Sequence, residues 1–389
     1  MTKKSNLQPV SITDKEITDL IELVDSVMRE GSDQSMLTDY PLVFRRQNLS
    51  NIHVIKEQGQ IVAEVPYVRR TIKMGDVEFR IGIISATSTH PDHREKGYAL
   101  ACLNANVEKM EKEGTELSVL WTVVPTFYFY NHCDYQAIRK QMSVYLCHKR
   151  DAYAFTDYGY EIVRYSPHSR DYLDEIISMH EKDDYGTQRD EDTYRGYFSL
   201  PKMTTWIALD KGKPTAYIIA SLATNKPGII EAGGEEEAIE TLVRHVLLEW
   251  PEVEDPIRSY GYFLPSKLGM VMEKNLPDRR EPWTSNMMIR FNLPRKFFER
   301  ISPWLVRKNK GKERAFSLEI KDINEIISFE FSIEGLYVGD KRLQEHIILT
   351  RRQLTSAVFG YHPQVTEKNY PELSRLFPFY FSLWILDHS

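Results

Sequence analysis

The sequence predicts a mixed α/β (α+β) protein with more than one domain, and three observations carry that prediction. Helix-period and strand-period segments alternate through most of the chain. A strand near residues 77–87 runs into a basic, glycine-containing turn that opens a helix. The same order of segments returns, in weaker form, further along the chain. A length of 389 residues points to two or three domains.

Taken in order, residues 12–30 read as an amphipathic helix, because Ile17, Leu20, Ile21, Leu23, Val24, Val27 and Met28 recur at helical spacing. Ile52 to Ile55 and Ile61 to Val65 flank the turn Glu57-Gln58-Gly59-Gln60 and read as a hairpin. A second turn at Lys73-Met74-Gly75-Asp76 leads into a β-rich run from Val77 to Thr87. Leu100 to Glu113 is rich in helix formers and stops at Gly114. An apolar strand, Leu117 to Trp121, comes next. It is followed by the aromatic segment Phe127-Tyr128-Phe129-Tyr130 and a further strand, Met142 to His148.

The echo begins with a helix over Ser169 to Lys182. A hairpin follows, Thr205 to Leu209 and Thr215 to Ala220 around Lys211-Gly212-Lys213. Then come a strand, Gly228 to Ala232, and a helix, Glu235 to Glu249. A basic run, Arg307 to Arg314, precedes a third region and reads as a solvated loop rather than an RNA contact. That region has strands at Ala315 to Ile320, Ile327 to Ile333 and His346 to Thr350, and a helix from Leu354 to a stop at Gly360.

The chemistry concentrates in the first turn, Pro91-Asp92-His93-Arg94-Glu95-Lys96-Gly97-Tyr98-Ala99. Backbone N–H groups at a helix start are unpaired, and with the helix dipole they form an anion site. Gly97 allows close backbone approach, and Arg94 and Lys96 add positive charge. The implied ligand is a pyrophosphate. A phosphate loop of the form G-x-x-x-x-G-K-S/T is absent, as is the dinucleotide pattern G-x-G-x-x-G. What stands here is R-x-x-G-x-A.

Composition excludes other classes. A net charge of −6 argues against a nucleic-acid partner. No run reaches the length of a membrane span, and no secretory signal is visible, so no membrane partner is expected. Three cysteines, Cys102, Cys133 and Cys147, lack C-x-x-C spacing and fit a reduced cytoplasm. His90 and His93 have no patterned acidic or thiol partners, so no metal is expected. His132-Cys133-Asp134 has the residue types of a nucleophilic triad, but consecutive side chains diverge.

The segment Arg94 to Ala99, after a strand and a proline, resembles the acetyl-CoA loop of the GNAT N-acetyltransferases, Q/R-x-x-G-x-G/A. The strand, aromatic segment and strand that follow resemble the second half of a GNAT domain. The tandem arrangement is similar to the Eis-type (enhanced intracellular survival) acetyltransferases. In the C-terminal region, the pattern I-x-L-T-x-x-Q-L-T-x-x-x-F-G of their sterol-carrier-like domain stands here at Ile347 to Gly360. The resemblance implies two tandem GNAT folds followed by a sterol-carrier-like α/β domain. The divisions fall at 1–150, 151–290 and 291–389, the second domain being degenerate because its equivalent loop, Glu231 to Glu237, is acidic. The cofactor implied is acetyl-CoA. Thr87, Ser88 and Thr89 would meet the pantetheine arm and acetyl oxygen, and Arg94, Glu95, Lys96, Gly97, Tyr98 and Ala99 the pyrophosphate.

The family's Y-G-R-F-G-Y falls on Tyr130 to Tyr135. That makes Tyr130 the general acid, with Tyr128 as its rival. Asp134 stands where the family has glycine, which matters if the position needs a positive φ. The terminal carboxylate, here that of Ser389, would be the base. The acceptor implied is a primary amine, on a small molecule such as an aminoglycoside or on a lysine. The resemblance also implies a homo-oligomer, with a hexamer as one form. Two other readings stay open: a non-catalytic acyl-CoA-binding regulator, and a lipid carrier, which would need a deep apolar cavity in residues 290–389.

Overall fold

The structure, a computed structural model, describes residues 8–138, 141–222, 228–251, 256–260, 266–284, 286–360, 370–381, 383 and 385–388. The chain forms two compact units, one built from residues 1–140 and 285–380, the other from 141–284 and 381–388.

In the first unit a mixed sheet runs in the order Val10–Ser11, Ile52–Glu57, Gln60–Met74, Val77–Ile84, Leu117–Trp121, Met287–Phe291, Gln136–Ala137. Gln58 and Gly59 both adopt positive φ in the tight turn that joins the first long hairpin. Val77–Ile84 and Leu117–Trp121 are parallel. A parallel pair needs a crossover, and here the crossover is the basic turn with helix Tyr98–Lys112. Tyr98, Cys102, Leu103, Val107 and Met110 of that helix are buried against Val65, Tyr67 and Leu120. The helix lies close over the sheet because Gly82 has no side chain; a Cβ there would run into Met110 Sδ. Helix Ile17–Met28 packs Leu20, Leu23 and Val24 into a separate cluster that includes Val54 and Val68. Successive residues Tyr67 and Val68 thus enter different clusters, so the two helices cover opposite faces.

The rest of this unit is a four-stranded sheet, Gly335–Gly339, Glu325–Ser332, Arg314–Ile320, His346–Leu349, with helices Pro294–Arg300, Ser302–Asn309, Arg351–Phe359 and Pro371–Leu376. Its interior is filled by aromatic rings. Phe298 meets Phe329 at 5.0 Å, Phe316 stacks on Phe329 at 4.9 Å, and Phe297 meets Phe359 and Phe379 at 5.7 and 5.6 Å. The basic run 307–314 is not wholly a loop: the helix extends to Asn309 and the strand begins at Arg314.

The second unit has a seven-stranded sheet in the order Arg280–Thr284, Gln141–Cys147, Ile257–Tyr260, Gly228–Gly234, Lys213–Ser221, Met203–Asp210, Glu161–Arg164. Gly228–Gly234 is antiparallel to the hairpin strand before it and parallel to Ile257–Tyr260 beyond helix Glu236–Glu249. That is the strand, helix, parallel-strand order of the first unit.

One strand lies elsewhere than its sequence position suggests. Gln141–Cys147, read as the close of the first domain, pairs with Ile257–Tyr260 and Arg280–Thr284. The place beside Leu117–Trp121 in the first sheet is taken by Met287–Phe291. Divisions at 150 and 290 follow the repeat in the sequence, whereas the compact units divide near 140 and 284.

Candidate functional site

The site begins where two parallel strands part. Their last matched pair is Ile83 with Val119. Beyond it, the register of the first strand against its antiparallel neighbour slips by one residue, from Tyr67 opposite Ile84 to Glu64 opposite Ser88. Ala86 sits in the slip with φ 48°, which is a bulge that bends the strand. Ser88 and Thr89 continue the ladder on one edge only, and Thr87 stands off it. Backbone groups on the open edge can bond an extended, amide-bearing ligand.

The chain then turns through Pro91–His93, where His90 Nδ1 accepts from the Asp92 N–H at 3.3 Å. Glu95 and Gly97 both take left-handed conformations, φ 63° and 80°. Gly97 caps the helix, and its carbonyl accepts the first helical bond, from the Ala101 N–H at 3.0 Å. The amides of Tyr98, Ala99 and Leu100 precede that bond and supply the donors of an anion site. Arg94, Glu95, Lys96 and Gly97 are exposed, Ala99 is half-buried, and Tyr98 is buried beneath them. Glu57 partly offsets the loop's charge: His93 Nδ1 lies 2.5 Å and Lys96 Nζ 3.7 Å from its carboxylate. Arg94 is held by Nε donating to Thr89 O at 3.4 Å.

Tyr130 comes from the short helix Phe127–Asn131 and is 9% exposed, with Tyr135 packed edge-on at 5.9 Å. Burial raises its pKa, and the neighbouring Thr87 hydroxyl opposes that rise. Thr87 Oγ1 is itself buried without a well-formed hydrogen bond among the described residues, so it is free to orient toward the phenol. Tyr128 is different: it is 75% exposed and rests against His132. Asp134 adopts φ 65° and its carboxylate pairs with Arg351 at 3.3 Å. The position does require the left-handed conformation that glycine favours, and the aspartate that replaces it gains an ion pair. Cys133 is buried and its thiol is pushed up to about 11 by burial, so it is no nucleophile near neutral pH. Ser389 lies outside the described residues.

A residue that the sequence reading passed over stands beside this group. Glu64 is fully buried, accepts from Ser88 Oγ at 2.8 Å, and has a second oxygen without a hydrogen bond among the described residues. Burial raises its pKa well above the usual carboxylate value, and its charge acts on both Tyr130 and Cys102. In the sequence it is one acid in the strand run Ile61-Val62-Ala63-Glu64-Val65, which alternation alone would place on a wet face.

In the second unit the strand Gly228–Gly234 is separated from its helix by Glu235 alone. Gly234 has φ 114°, and a Cβ there would strike Thr215 O and Ala216. Glu231, counted from sequence as part of an acidic loop, is in the strand. It is buried and takes two hydrogen bonds from Arg189, at 3.0 and 2.7 Å. No loop separates strand from helix here, and the residues at the helix start, Glu235, Glu236 and Glu237, are exposed acids. Among the described residues, no group of three or more His, Cys, Asp or Glu side chains is placed to hold a metal, and no helix is long and apolar enough to cross a membrane.

A strand bulge, splayed parallel strands and a helix N-terminus behind a basic turn meet at one end of the first sheet. Residues 9–136 match the model of the acetyltransferase (GNAT) domain. The chain therefore carries a GNAT acetyltransferase domain and is an acyltransferase. The donors of such domains are acyl-CoA thioesters. No curated protein matches the sequence. Solved structures share the fold along nearly the whole chain. A probable N-acyltransferase from Enterococcus faecalis superposes with a TM-score of 0.75 at 14% identity, covering 95% of each chain. A GCN5-related N-acetyltransferase from Anabaena variabilis gives 0.73 at 14% identity, covering 97% of this chain and 99% of that one. Eis1 from Mycobacterium abscessus gives 0.62 at 11% identity, with 96% of each covered.

Proposed function

We propose that this chain is an Eis-type N-acetyltransferase that moves the acetyl group of acetyl-CoA to a primary amine, on a small molecule such as an aminoglycoside or on a lysine. The observation that carries the reading is the continuous path from the basic loop, Arg94 to Ala99, through the bulged strand at Thr87 to Ser88, to the buried phenol of Tyr130. The loop amides and Arg94 hold the pyrophosphate. Backbone groups of Thr87, Ser88 and Thr89 align the pantetheine arm and thioester carbonyl. The amine nitrogen attacks the carbonyl carbon, a C–N bond forms and the C–S bond breaks. The Tyr130 hydroxyl protonates the departing thiolate. Its raised pKa keeps it in the acid form at neutral pH.

The amine's proton goes to a carboxylate. The Eis resemblance assigns that role to the Ser389 terminus. If so, Ser389→Ala is silent, whereas residues appended after Ser389 remove activity. Glu64 is the second reading, favoured by its burial near Tyr130 and by an oxygen that has no hydrogen bond among the described residues. If it is the base, Glu64→Gln abolishes turnover and an appended tail does not. The same resemblance carries the homo-oligomer, a hexamer among its forms, and the three cysteines without C-x-x-C spacing carry the cytoplasmic location; analytical ultracentrifugation and cell fractionation test them.

A thiol-release screen with acetyl-CoA against a panel of amines tests the activity. Release that depends on an amine supports the enzyme. Tight acetyl-CoA binding without release would instead favour a non-catalytic acyl-CoA sensor.

A further inference from the structure

In the first unit, far in sequence from the acyl-CoA loop, helix Ser302–Asn309 ends in a turn made by Lys310 and Gly311, both in the left-handed conformation with φ 53° and 70°. The turn and helix Pro371–Leu376 enclose a cavity of about 580 Å³ lined by Lys308, Asn309, Lys310, Lys312, Arg314 and Arg375. Five of these six residues are cations. One carboxylate, Glu372, meets this group, paired with Arg314 at 3.2 Å and with Arg375. Among the described residues no acid pairs with Lys308, Lys310 or Lys312, and Glu313 is exposed and does not line the cavity. Five cations against one carboxylate leave an excess of four positive charges, on a chain whose net charge is −6. Asn309 is buried at 5% exposure; its amide donates to Lys312 O and fixes the turn, while its Oδ1 has no hydrogen bond among the described residues.

Like charges gathered in a concavity repel one another, and a bound anion relieves that cost. Lysine ammonium groups are compact point charges suited to phosphate oxygens. The volume is that of a small-molecule site, for which 300–1,000 Å³ is typical. A long polynucleotide would need an extended basic track rather than a single cavity, and would meet the field of an acidic protein. We propose that this cavity binds a small soluble polyanion carrying two or more phosphate groups, at a site separate from the acyl-CoA loop.

The test is titration calorimetry of the full chain with inorganic tripolyphosphate in the presence of saturating acetyl-CoA. The expected result is saturable binding that weakens at least about tenfold in Lys308→Gln/Lys310→Gln/Lys312→Gln and is unchanged in Arg94→Glu. Circular dichroism checks that the triple variant folds, and its acetyl-CoA affinity should stay at the wild-type value. A steep fall of affinity with salt is expected from the several charge contacts. Absence of tripolyphosphate binding, equal binding by the triple variant, or loss of binding in Arg94→Glu would each overturn the proposal. So would preferential binding of single-stranded RNA over tripolyphosphate with the same dependence on the three lysines.

Discussion

Three side chains of the candidate site, Asp134, Tyr130 and Glu64, are set by backbone conformation and burial. Asp134 occupies a left-handed position at φ 65°, where a non-glycine residue costs about 1–2 kcal/mol, and the Arg351 pair offsets part of that cost. The departure from a family glycine was visible in the sequence; the compensating arginine, 217 residues away in sequence, was not. Tyr130 and Tyr128 could not be separated by spacing; the first is buried and the second exposed. Glu64 was missed because a lone acid in a strand normally faces water, and only the neighbouring segment around Ser88 buries it.

A testable consequence follows for Glu64 from the sign of its shift. Its folded pKa is raised by burial, so the folded state holds a proton that the unfolded state releases. The stability linked to that proton is complete below about pH 4.5 and is lost as pH rises through the folded pKa. Glu64→Gln removes that penalty. Thermal melts should show the variant gaining on the wild type as pH goes from 5 to 9, with little difference at the acid end. A wild type that becomes relatively more stable toward pH 9 would show that Glu64 is not a buried, unpaired acid.

At the scale of elements, the sequence carried most of what is local. The turn at Gln58-Gly59, the helix that stops at Gly114, the hairpin around Lys211-Gly212 and the helix closed by Gly360 are written in glycines and apolar spacing. Partner choice is not local. Met287–Phe291 adds to the first sheet and Gln141–Cys147 to the second, and nothing in either segment's own pattern names its neighbour. The basic loop is the element whose proposed role rests most on local sequence, because helix start, glycine and cations coincide. Arg94→Glu places a negative charge at this exposed turn. Losing a charge-assisted contact of about 1.5–3 kcal/mol should weaken acetyl-CoA at least about tenfold in calorimetry. The melting temperature should stay within a degree or two, since the side chain is exposed.

At the scale of the molecule, two repeats have diverged in opposite directions. One keeps a loop between strand and helix, where the proposed ligand site lies. The other closes strand onto helix and spends its polar residues on structure. There Arg189 is buried between Glu231 and Asp387, donating to Asp387 at 2.9 and 2.8 Å, with Tyr197 and Tyr217 bonded to the two carboxylates. Burial works against the ionised form of Glu231, and Arg189 and His180 overcome it and hold its pKa below the usual range. Removing one partner of such a group strands the others, at a cost of about 3–5 kcal/mol. Arg189→Leu should lower stability by that amount in urea denaturation, and a loss below about 1 kcal/mol would show that the network is not closed. The central claim is catalytic, and single-turnover thiol release with saturating acetyl-CoA and an accepted amine tests it most directly. Wild type should release CoA only when the amine is present. Tyr130→Phe should do so about 10²-fold or more slowly at unchanged acetyl-CoA affinity, and Tyr128→Phe should match the wild type. Full-rate release from Tyr130→Phe, or release that ignores the amine, would contradict the account.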